Sequence, residues 1–253
     1  RGRLRVVAPA VFAPVDTRDA QAVAAEVAAR WREMFGPDAG FVATGFQLFG
    51  DSFAGRRAGR APLDVPYHDL EHTLQGVLCL GRLLHAWRRH GVTPALDEAT
   101  ARLALLAVLL HDTGYLKPAG DADGKGAKFI PQHEARSVDF VHEVLPEAGL
   151  KTPEIDAIGR MIWCTSLTMQ VEHLGFRDER ELLAGCAVGT ADLLGQMAAA
   201  DYPEKLAALF LEFEESARRN GWSGGGAALP SLAELRRGPP QFWGELIWPR
   251  LNG

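Results

Sequence analysis

The chain has 253 residues, 47% of them hydrophobic and 23% charged, and 27 basic against 32 acidic residues leave a net charge of −5. That length buries a sizeable core and that balance is ordinary for a soluble globular protein. A mildly acidic chain gives no basis for a nucleic-acid binder, although a cation can neutralise the phosphate of a small nucleotide. Three cysteines, Cys79, Cys164 and Cys186, form no CxxC pair. A disulfide framework or a cysteine zinc site is therefore not expected, and a reducing cytoplasm fits. The longest apolar run, Leu103 to Leu110, is far short of the roughly 20 residues a membrane span needs, so no membrane association is expected.

In chain order, residues 1–16 read as irregular, with Pro9 and Pro14, and the prolines break any resemblance to a leader peptide. A helix is expected from Asp16 or Thr17 to the Gly36-Pro37 stop. Residues 37–66 are rich in Gly, Phe and Pro and read as a loop with short helical pieces. Between Tyr67 and His90, Leu70, Leu74, Val77, Leu78, Leu84 and Trp87 recur at helical spacing. Asp97 caps the next helix, "DEATARLALLAVLLHD", which is apolar nearly all round and so predicted to be central. A glycine- and charge-rich loop follows, Lys117 to Lys128. Further helices are predicted over 131–145, 152–164, 180–198 and 203–221, then a glycine-rich linker and a last aromatic segment, Phe242 to Trp248. No strand pattern and no repeat occurs. The prediction is an all-α helical bundle, one domain over 1–253.

The ligand-type residues are concentrated. In "YHDLEHT", His68 and His72 stand four apart, a spacing that on a helix places both on one face. In "LLHDTGY", His111 and Asp112 end the apolar helix, where neighbours can reach one point. Asp192 interrupts a stretch of small and apolar residues, "AVGTADLLGQMA". An unpaired carboxylate buried there is costly and needs a partner. A divalent ion would satisfy His72, His111, Asp112 and Asp192 together. A mixed imidazole and carboxylate set suits Zn, Mn, Fe or Co, with Mg joining through carboxylate and water.

These ordered residues, over roughly Tyr67 to Phe213, resemble the HD-domain superfamily of metal-dependent phosphohydrolases. "YHDLEH" is similar to the Tyr-His-Asn-x-x-His motif of class I cyclic-nucleotide phosphodiesterases, with Asp69 in place of asparagine. The resemblance implies an HD core over about 67–213. It implies one or two divalent metal ions, the first held by His72, His111, Asp112 and Asp192. His68 would protonate the leaving oxygen, and His133 would help hold a second metal, with Asp112 bridging. The chain departs from the phosphodiesterase pattern at Tyr115, where that pattern has histidine, and lacks the histidine pair expected near "IWCTSLT".

The expected activity is hydrolysis of a small nucleotide-like phosphate ester, probed first as a phosphodiesterase. The alternatives are a nucleotidase or other phosphomonoesterase, a non-catalytic nucleotide-binding module, and a di-iron oxygenase. Asp69 or Glu71 is expected to orient a histidine. Lys117, Lys125, Lys128 and Arg136 are expected on a lid, with Lys117 and Lys128 gripping phosphate. His85, His90, His142 and His173 read as ordinary residues, the tryptophans as packing residues, and "EFEES", Glu212 to Ser216, as a solvated helix face. The sequence leaves a homodimer open.

Overall fold

The computed structural model describes residues 12–221, 229–238 and Gly244. Nine α-helices account for the architecture of these residues, with three short 3-10 turns and one isolated bridge between Arg60 and Pro118. No strand occurs among them, and the all-α bundle expected from the periodicity is the fold.

The first helix, α1 (Ala20–Phe35), starts where the Asp19 carboxylate accepts the backbone N–H of Gln21 and Ala22. It ends at Gly36, whose φ of 108° only glycine adopts freely. The start lies a few residues later than Asp16 or Thr17, because the side chain of Asp19 makes the capping bonds. Helix α2 (Gly40–Phe53) corrects the loop expected over 37–66. Its glycine content lowers intrinsic helicity. Tertiary packing outweighs that: Val42, Leu48, Phe49 and Phe53 are buried, and Gly45 lets Leu109 approach so closely that a Cβ there would lie 3.2 Å from it.

Helix α3 (Leu70–Arg89) is capped by Asp69, and α4 (Glu98–Leu110) by Asp97. Every residue of α4 from Leu103 to Leu110 is buried, as an all-round apolar helix must be. Helices α5 (His133–Val144), α6 (Thr152–Trp163) and α7 (Glu179–Met197) complete the body, and α8 (Tyr202–Asn220) leaves α7 at 111°. The short α9 (Leu232–Arg237) carries a Ser231–Glu234 capping box and packs on α8. The aromatic segment Phe242 to Trp248, apart from Gly244, and the linker over 222–228 lie outside the described residues.

Helices α3 and α7 share the most extensive contact of any pair among the described residues. Their contact depends on missing side chains: a Cβ on Gly195 would lie 2.6 Å from the carbonyl oxygen of Gln75, and one on Gly76 would lie 3.7 Å from the Asp192 Cα. Helix α4 lies against both, so that the start of α3, the end of α4 and the middle of α7 meet. No single helix among the described residues is long and apolar enough to cross a membrane.

Candidate metal centre

His72 sits in the first turn of α3, where its backbone N–H donates to the Asp69 carboxylate at 2.9 Å. His111 and Asp112 follow the last turn of α4, and Thr113–Tyr115 then turns sharply as a 3-10 segment. Ser137 of α5 fixes that turn, its hydroxyl accepting from Gly114 N–H at 2.8 Å and donating to the His111 carbonyl. Arg136 braces the same turn by donating to the Gly114 and Leu116 carbonyls at 2.7 and 2.8 Å. Gly114 is obligatory, since a Cβ would fall 1.9 Å from the carbonyl oxygen of His133.

These elements bring four side chains from three helical segments to one point. His72 Nε2 lies 3.3 Å from Asp112 Oδ2 and 3.1 Å from Asp192 Oδ1. His111 Nε2 lies 3.2 and 3.4 Å from the same two oxygens. All four residues are buried. The four facing atoms nevertheless have no partner that meets hydrogen-bond geometry. They aim at a shared centre instead of at each other. Donors that share one ion at about 2.0–2.2 Å stand roughly 3.0–3.5 Å apart, and the residues therefore fit a divalent metal. His72, His111 and Asp112 form the compact trio that could hold the ion. Asp192 joins it through the two imidazoles.

The charges of this cluster are strongly coupled. Burial opposes the protonated form of His72, but Asp112 and Asp192 outweigh it and push the imidazole up to about 9. His111 is also raised well above the ordinary histidine range, against its burial, by the same two acids. Burial would lift the carboxyls of Asp112 and Asp192, yet the imidazoles hold both below the usual range. Without a cation, protons carry the compensating charge. The outer contact of His111 sets its tautomer: Nδ1–H donates to the Val108 carbonyl at 2.8 Å, which leaves Nε2 as a lone-pair donor.

His68 reaches this centre by another route than helical spacing. It precedes the cap of α3, so His68 and His72 do not share a helix face. Glu212 of α8 holds it instead: one carboxylate oxygen accepts the backbone N–H of Tyr67 and His68 at 2.7 and 3.1 Å, and the other accepts His68 Nδ1–H at 2.5 Å. The two imidazole rings end 5.2 Å apart. The solvated face expected for Glu212 to Ser216 is thus corrected, as Glu212 is 1% exposed and Ser216 is buried too. The signal was present in the sequence: Glu212 falls three residues after Leu209 and six after Leu206, on the apolar stripe of α8, as Asp192 interrupts that of α7. Tyr67 is buried and donates its hydroxyl to Gln196, whose amide donates to the Asp192 carbonyl.

His133 begins α5, and its Nδ1 is committed to the Ile130 carbonyl at 2.8 Å. Tyr115 stacks on both His68 and His133, each at 4.7 Å between ring centroids. The lysines are placed differently from expectation. Lys117 donates to the Gly124 carbonyl and pairs with Asp64, both at 2.7 Å. Lys128 pairs with Asp121 at 2.7 Å and donates to the Asp123 carbonyl. Lys128 ties its own loop together, and Lys117 joins that loop to Asp64 in the segment before α3. The loop is also tied to α8, where Arg219 pairs with Asp123 at 2.7 Å. Asp69 and Glu71 orient no histidine ring. Asp69 caps α3, and Glu71 pairs with Lys205 and Arg18. His85, expected to be ordinary, pairs with Glu33 at 2.8 Å. An apolar groove lined by Phe46, Phe49, Phe53, Leu63 and Leu70 lies apart from the cluster, none of whose four members lines it.

Fold and site together define a helical protein with a buried His/Asp cluster suited to a cation. The chain belongs to the Npun_R2479-like family, whose model matches residues 121–252, just over half of it. Asp192, His133 and Glu212 fall inside the matched stretch, and His72, His111 and Asp112 precede it. No curated protein matches the chain.

Proposed function

We propose that this protein is a metal-dependent phosphohydrolase of the HD-domain kind, acting on a small nucleotide-like phosphate ester as a phosphodiesterase. One observation carries the reading: four buried donor atoms from three helical segments stand 3.1–3.4 Å apart with no hydrogen-bond partner. The ordered residues His72, His111-Asp112 and Asp192 support it, because they carry the resemblance to that superfamily.

His72, His111, Asp112 and Asp192 would hold the ion. A bound divalent ion supplies Lewis acidity toward phosphoryl oxygens and lowers the pKa of water. The rest of the work falls to the chain. His68 is 18% exposed at its side chain, whereas its partner Glu212 is sealed. Its Nδ1 is spoken for, so Nε2 is the nitrogen available to give a proton to a leaving oxygen. Glu212 accepts the Nδ1–H and fixes the ring's orientation. The buried walls, Tyr67 and Tyr115, limit water around His68 and strengthen these electrostatic interactions.

The test is a substrate screen with cyclic nucleotides, nucleoside monophosphates and bis-p-nitrophenyl phosphate on metal-loaded protein. Asp112→Ala should lose both activity and metal. His68→Ala should keep the metal and lose roughly 10²–10⁴-fold in turnover. Full hydrolysis by Asp112→Ala contradicts the reading, and activity confined to monophosphates moves it to a nucleotidase.

A further inference from the structure

The centre described above contains two other imidazoles, His68 and His133, beside the four-donor cluster. We infer that the centre is mononuclear, with the ring of Tyr115 packed on His68 and His133 in the space a second cation would need, and His133 facing the substrate as a free imidazole. This rests on the proposed metal-centre reading and says how many ions that centre takes and what His133 does.

Three observations support it. First, Tyr115 is 1% exposed and lies nearly parallel to both imidazoles, at 19° and 20° and at 4.7 Å from each. The two imidazoles are themselves 6.3 Å apart, so the three rings form one packed triangle. Second, the side chain in that place is a phenol, a poorer ligand for a divalent ion than the imidazoles and carboxylates such a site needs. Third, each of the two imidazoles has already spent one donor atom. His68 Nδ1 is committed to Glu212 and His133 Nδ1 to the Ile130 carbonyl, which leaves one nitrogen on each ring. Among the described residues the only group of three or more donors able to hold an ion is that of His72, His111 and Asp112.

Exposure divides the centre the same way. The side chains of His68 and His133 are each 18% exposed, while those of His72, His111 and Asp112 are 4%, 2% and 1% exposed. The buried set suits an ion, and the two accessible imidazoles suit a ligand arriving from solvent. His133 cannot retreat, because its carbonyl is pressed against Gly114. A second accessible imidazole can donate a hydrogen bond to an anionic ester, where a second cation would supply positive charge.

The experiment is a titration of the chelator-stripped full chain with Mn²⁺, with free ion followed by electron paramagnetic resonance. Wild type should take up one equivalent with no exchange-coupled signal, and Tyr115→His should take up two and show coupling. His133→Ala should hold one equivalent at the wild-type affinity while its KM rises about tenfold, and this arm remains decisive if Tyr115→His does not fold. Two equivalents in wild type overturn the inference and leave the metal-centre reading standing. One equivalent in Tyr115→His, or loss of metal affinity in His133→Ala, also overturns it. No uptake by wild type removes the metal-centre reading itself.

Discussion

Glu212 is an acid with one job that its neighbours make legible. It is sealed from solvent and spends both oxygens on the Tyr67–His68 segment. Replacing it by glutamine keeps the shape and removes the charge. Glu212→Gln should lower turnover by about 10–100-fold, a range typical for outer partners of a functional imidazole, with metal content unchanged. Unchanged turnover in Glu212→Gln would make Glu212 a purely structural tie. His72 yields a prediction of opposite kind. In the metal-free chain its imidazole is raised from 6.5 to about 9. Its pairing with the two acids therefore stabilises the metal-free fold fully below the ordinary value, and that contribution is lost as pH rises through about 9. An ion needs the neutral imidazole, so binding must expel protons. Metal affinity should climb as pH rises from neutrality toward about 9, and calorimetry in buffers of different ionisation enthalpy should register proton release.

At the scale of elements, the site depends on how closely helices approach. Gly195 lets α7 lie against α3, and a Cβ there would stand 2.6 Å from the Gln75 carbonyl. Gly195→Ala should cost about 1–3 kcal/mol, the usual range for overpacking. It should weaken metal binding as well, because the same displacement moves Asp192 from His72. Calorimetric melting and metal affinity check the two effects, and a melting loss without an affinity loss would uncouple the helix contact from the site. Ser137→Ala leaves the Gly114 N–H and the His111 carbonyl without that partner, and the melting transition should register a loss of about 1–3 kcal/mol. The periodicity of α3, α4 and α7 was legible because those helices bury faces that only apolar residues can line. Helix α2 was not, because its glycines and aromatics contradict helix propensity and only packing against α1 and α4 explains them. The ion-cluster residues could be picked out because an acid within an apolar stripe demands a partner. Glu212 carried that same mark, but its acidic neighbours Glu214 and Glu215 masked it. The position of His68 was hidden because it lies before a cap, where spacing along the chain no longer fixes direction.

At the scale of the whole molecule, the ion would join α3, α4 and α7, three helices that already share the core. An ion that binds only the folded chain stabilises it by mass action, about 2.7 kcal/mol at a hundredfold excess over Kd. Chelation should therefore lower the melting temperature in wild type and leave Asp192→Ala unmoved. The central claim is that the four donor atoms converge on a cation, and its most direct test is anomalous diffraction from crystals grown with Mn²⁺ or Zn²⁺. The account predicts a single strong anomalous peak at bonding distance from His72 Nε2, His111 Nε2, Asp112 and Asp192. Ordered water or direct hydrogen bonds among those side chains, with no anomalous peak at a saturating metal concentration, would contradict it.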